Sequence, residues 1–110
     1  MSRSNSSLFE LADELSISTL TGTPTYDLIG CFQFPPAIVI FDNQGDVSVG
    51  ISSNGTSTWK TFVAGEALVL DLRAANANAP DGAFRNNMPL FAIGTAGACD
   101  FKISYLYAVA

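Results

Sequence analysis

The chain predicts an all-β domain: an antiparallel β-sandwich or jelly-roll-like barrel of about seven to eight strands, with an N-terminal arm or short helix. Three observations carry this expectation. Apolar residues alternate with a period near two from about Thr25 onward, Asn, Gly and Pro punctuate the apolar runs at short intervals, and after residue 20 hardly any stretch keeps helical spacing. Without crossover helices a parallel α/β sheet is excluded.

Residues 1–24 form the arm or short helix, and residues 25–110 the sandwich. Ser7 and Glu10 fit a capping box, and Leu8, Leu11 and Leu15 follow helical spacing. The competing reading is an extended arm that orders against a neighbouring subunit, which the polar "SRSNSS" ahead of it suits. "YDLIGCFQF" is a strand that must end or lie at an edge where it meets Pro35-Pro36, since proline offers no ladder N–H. "AIVIF" is an unbroken apolar run, expected to be buried on both faces. "DVSVGIS" alternates, Val47, Val49 and Ile51 against Ser48, Gly50 and Ser52, and is expected to be half exposed.

Between those two strands, Asp42-Asn43-Gln44-Gly45-Asp46 reads as a hairpin turn. Ser53-Asn54-Gly55 marks another turn, because Asn and Gly tolerate positive φ. "STWKTFV", a turn at Ala64-Gly65, and "EALVLDL" follow, with Leu68, Leu70 and Leu72 on one face. Arg73 to Pro89, rich in Ala, Asn, Gly and Pro, is one long loop. "LFAIGT", the turn "AGACD" and "FKISYLY" complete the chain.

A length of 110 residues with 48% apolar content suffices for one domain with a real core. Five basic against ten acidic residues leave no cationic stripe for phosphates, so direct nucleic-acid binding is not expected. Charged residues make up 14% of the chain, against roughly one quarter in an average soluble domain. Eight Phe, three Tyr and one Trp in so short a chain then leave apolar surface for another subunit to cover. The alternative is a monomer with a Ser/Thr/Asn-rich surface. No apolar run reaches the ~18 residues of a membrane span, and the N-terminus has no apolar signal core. Cys31 and Cys99, both among apolar or small neighbours, are expected to be buried free thiols.

The absence of histidine removes the commonest general base and metal ligand, together with Ser-His-Asp and Cys-His arrangements. No catalytic residue, cofactor or metal site is expected, and no enzyme activity. A carboxylate pair across a cleft is the remaining enzymatic option, but most of the Asp residues stand where turns and strand ends place them. Asp42 to Asp46 lacks the ligand spacing of a calcium loop. Asp71 and Arg73, two residues apart at the mouth of the long loop, are either a structural pair or, with Asn76, part of a subunit contact. The subunit-contact candidates are Leu8, Phe9, Leu11 and Leu15 in the arm, and Asp71, Arg73, Asn76, Phe84 and Arg85 at or within the loop. A carbohydrate-binding module is the rival, with Trp59, Tyr105 and Tyr107 as stacking platforms.

The ordered series "AIVIFDNQGDVSVGISSNGTSTWKTFVAGEALVLDLRAAN", then a loop, then "LFAIGTAGACDFKISYLYA" resembles small virion structural proteins of tailed bacteriophages over about Ala37 to Ala108. The resemblance implies a β-sandwich that assembles as a symmetric homo-oligomer in the head, neck or tail. It also implies contacts with capsid, portal or tail proteins, production in the host cytoplasm, and residence in the virion, with no membrane partner.

Overall fold

Proline, glycine and asparagine cut the chain into segments of strand length, and each apolar segment becomes a strand. The structure is a computed structural model and describes residues 9–72 and 88–108. Among these residues the strands are β1 (Phe9–Leu11), β2 (Leu15–Leu20), β3 (Asp27–Cys31), β4 (Pro36–Asn43), β5 (Val49–Ser52), β6 (Lys60–Phe62), β7 (Ala67–Asp71), β8 (Pro89–Ile93) and β9 (Gly97–Ala108). Every strand expected after Thr25 forms.

They build two antiparallel sheets. One has four strands in the order β3-β8-β5-β6. The other has five: β9 and β4 lie at its centre, β7 flanks β4, and β1 and β2 share the remaining edge of β9. From β2 onward, consecutive strands switch sheets at every connection except β5 to β6, which gives the jelly-roll arrangement of two facing sheets. The core lies between them. Phe41 and Phe101 from the five-stranded sheet meet Phe62 from the other at centroid distances of 5.5 and 5.2 Å, and Phe32 meets Tyr105 edge-on at 4.9 Å.

Several expectations are corrected. The short N-terminal helix is absent over residues 9–20, where β1 and β2 run along β9 instead. An isolated helix of this length is marginal in water. The twelve-residue β9 offers ladder bonds, and the alternation of Leu15 and Ile17 packs both against the core.

The segment Asp42 to Asp46 is not a hairpin, because β4 and β5 belong to different sheets and the chain arches from one to the other. The burial of the flanking strands is also the reverse of expectation. In β4, Val39, Phe41 and Asn43 are buried while Ile38 and Ile40 are half-buried. All four residues of β5 are buried. The segment after β5 folds back over its outer face: a Cβ on Gly50 would sit 3.0 Å from both Thr58 Cγ2 and Ile93 Cγ2, tighter than ordinary van der Waals contact. The Ser52 hydroxyl accepts from the N–H groups of Asn54 and Gly55 at 3.2 and 2.9 Å.

Candidate self-assembly interface

Strand β7 closes one side of the five-stranded sheet, and among the described residues its only strand partner is β4. Asn43 N–H donates to the Glu66 carbonyl at 2.9 Å, and Leu72 N–H donates to the Ala37 carbonyl at 2.7 Å. Antiparallel ladder bonds alternate, so Leu68 and Leu70 bond to β4 and the backbone groups of Ala67 and Val69 point to the open side. The same period of two sends Leu68 and Leu70 inward and the Val69 side chain outward, 59% exposed. An edge strand with an outward Val and no proline, lysine or bulge is a template for another strand.

The outer face beside this edge carries an apolar band, with Ser104, Asp42 and Lys102 to one side of it. Register places Val69 opposite Ile40, Ile38 opposite Leu106, and Leu106 opposite Leu11, which is 66% exposed. These five side chains form an oblique band from the β7 edge across β4 and β9 to β1.

Of the contact candidates, Leu11 belongs to this band. Phe9 shares its outer face, pairing with Ala108. Asp71 lies at the exposed end of β7, opposite Ile38. Leu15 points inward, with its Cδ2 3.0 Å from where a Cβ on Gly30 would be, so it is a packing residue and not a surface contact. Leu8, Arg73, Asn76, Phe84 and Arg85 lie outside the described residues. The expected candidates omitted Val69, Ile38, Ile40 and Leu106. The signal for Val69 was present in "EALVLDL", where assigning the leucines to one face assigns Val69 to the other.

The acidic arch has a structural centre. Asn43, fully buried, donates through Nδ2 to the carbonyls of Val47, Phe62 and Val63 at 2.9, 3.0 and 3.1 Å, and its Oδ1 accepts from Gly45 N–H at 3.2 Å. Asp42 accepts from Gln44 Nε2 at 2.8 Å. Among the described residues no three His, Cys, Asp or Glu side chains gather where a metal could be held.

On the outside of the four-stranded sheet an open cleft of about 520 Å³ is lined mainly by Thr and Ser residues, among them Thr23, Ser48, Thr58 and Thr61, beside Val47 and Ile93. It presents no ionisable side chain.

The stacking platforms of the carbohydrate reading are placed elsewhere. Trp59 packs against Phe41 and Phe62, with centroids 5.3 and 6.3 Å away, Tyr105 is buried, and Tyr107 stacks on Phe34 at 4.1 Å. The cysteines are free, but Cys31 is exposed at the end of edge strand β3, which corrects the expectation that both are buried. Cys99 is half-buried and its thiol donates to the Ile17 carbonyl at 3.5 Å. Burial first, then the charges of Asp100 and Asp27, push that thiol above its ordinary value. No disulfide joins the two cysteines.

No family model matches the chain, and no curated protein matches it. Among solved structures, the chain is similar to a protein of Bacillus endospore appendages, described as a family of disulfide-linked pili. The match has a TM-score of 0.50 at 14% identity and covers 93% of this chain and 89% of that one, a likeness of fold.

Proposed function

We propose that the chain is a structural subunit that assembles with copies of itself, using the open β7 edge and the apolar band beside it. The observation that carries this reading is Val69: an exposed β-branched residue at the centre of an edge strand whose outer side has no strand partner among the described residues, continuous with Ile40 on the outer face. Edge-to-edge pairing supplies main-chain hydrogen bonds, and the band supplies apolar area beside them. When the surfaces joined are different ones, the contact is head-to-tail and propagates as a ring or a filament.

Two finer readings have separate support. The sequence resemblance over Ala37 to Ala108 favours a virion structural protein of a tailed phage, in the head, neck or tail, where rings or shells are built. The pilus protein of similar fold favours an extracellular filament. In a disulfide-linked assembly of this chain, Cys31 would be the accessible thiol.

Electron microscopy of the purified protein at high concentration tests the reading. Regular rings or filaments that disappear in Val69→Lys support it, and a wild-type chain that sediments only as a monomer refutes it. Rings favour the virion reading and filaments the pilus-like one. A ladder on a non-reducing gel that vanishes in Cys31→Ser identifies disulfide linkage.

A further inference from the structure

Strands β1 and β2 lie on the same edge of β9 but in different registers. Phe9, Glu10 and Leu11 pair with Ala108, Tyr107 and Leu106, whereas Leu15 pairs with Ile103. Between Leu11 and Leu15, three residues of one strand therefore stand opposite two of the other, Ser104 and Tyr105. Ala12 N–H still bonds the Tyr105 carbonyl at 2.9 Å, so the break itself is Asp13-Glu14 opposite Ser104, a bulge with both acids exposed.

The contacts of β1 beyond the bulge are superficial. None of its three residues is buried, and none belongs to the buried core. Besides its ladder to β9, Glu10 Oε1 accepts from the Tyr107 hydroxyl at 3.0 Å, and the Tyr107 ring is itself stacked on Phe34. Removing β1 leaves both sheets and the core in place, which puts this strand at the low-stability end of the fold.

We propose that in the assembled form β1 of one copy leaves its own sheet and pairs with β9 of a neighbouring copy. The proposal rests on the self-assembly reading above. Every copy carries the same Leu106–Ala108 edge and the same Tyr107 hydroxyl, so the exchanged strand recovers in the neighbour its ladder and its Glu10 bond, and the exchange costs little. The bulge is the hinge. Its two residues span about 7 Å when extended, so the receiving β9 must lie in direct contact with the donor, beside the start of its β2. Once copies are held together by the β7 edge, the high local concentration of the neighbour's β9 drives the exchange.

Leu11 and Leu106 provide the test. They are directly opposite, and because Ala12 N–H bonds to the Tyr105 carbonyl they form a non-hydrogen-bonded pair, with Cα atoms about 4.5 Å apart, a spacing that a disulfide bridges. Heavy-isotope-labelled and unlabelled Leu11→Cys/Leu106→Cys chains are mixed as monomers, assembled, oxidised and digested. Mass spectrometry then reads the isotopes in the peptides joined through positions 11 and 106, whatever the native cysteines do. Exchange gives linked pairs in which heavy and light peptides are statistically mixed. Linked pairs carrying a single isotope throughout, from chains that have assembled, overturn the exchange and leave self-assembly standing. A wild-type chain that never assembles overturns both.

Discussion

On the outer face of the four-stranded sheet, Gly50 lies under Thr58 and beside Ile93, and Ser52 is sealed by the segment that follows it. On the outer face of the five-stranded sheet, Ile38 and Ile40 have no such cover among the described residues, and Val69 and Leu11 are mostly exposed. Both sheets bury one face in the same core, so packing does not explain the contrast. The four-stranded sheet covers β5 at its middle and exposes Leu28 on its β3 edge, whereas the five-stranded one presents a continuous apolar band that reaches its β7 edge. On the proposed self-assembly reading, the second sheet is the side that is joined.

Val69→Lys breaks the comparison most directly. A charge on the β7 edge is expected to abolish assembly, while the melting of the monomer shifts by no more than about 0.5 kcal/mol, as for other exposed positions. Sedimentation and thermal melting of the same sample separate the two effects. Asn43→Ala attacks the arch that joins the sheets. It leaves the carbonyls of Val47, Phe62 and Val63 without their donor, and should cost about 3 kcal/mol, seen as a fall in melting temperature of roughly 15 °C.

A matched pair sharpens the contrast between the faces. Ile40→Ser on the uncovered face should weaken assembly roughly tenfold. Thr61→Ser, in the cleft of the other face, should leave the concentration dependence of sedimentation unchanged.

The smallest effect is on pH. Asp27 is held below its ordinary value by the Thr21 N–H and then the Thr21 hydroxyl, and Glu66 by Lys60 and then the Val63 N–H. The folded chain therefore binds these protons less readily than the unfolded chain. The stability they contribute is present above the ordinary carboxylate values of 3.8 and 4.5 and is lost as the pH falls below them. Melting curves between pH 6 and pH 3, with Asp27→Asn and Glu66→Gln flattening the decline, check the sign.

Strand identities after Thr25 were legible because period-two alternation and Gly, Asn and Pro punctuation are local signals. Which strands pair is not local, and the hairpin expected at Asp42 to Asp46 failed for that reason: a tight bend within a sheet and an arch between sheets use the same residues. The burial of β4 and β5 was misjudged because hydropathy records what a residue tolerates, while cover depends on what later segments do. Thr58 covers Gly50 from eight residues downstream. The N-terminal leucines fit helical spacing, and only the long edge of β9, with a bulge between Leu11 and Leu15, turns the segment into strands. For the interface, the low charge content pointed to covered surface, but only the topology places Val69 on an edge and sets Ile38, Ile40 and Leu106 beside it.

The repeated switching between sheets has a kinetic side. Only β5 and β6 are neighbours in both sequence and space among the strands that follow β2, so nearly every pairing must close a long loop before it yields a contact. Such a chain folds on the millisecond-to-second scale of non-local β proteins. The central strands β4 and β9 spend that interval with their own edges unfilled, able to capture another copy's strand in the wrong register. Rapid production of many copies then favours misassembly, and slow dilution or a lowered temperature during refolding should raise the yield of correct subunits.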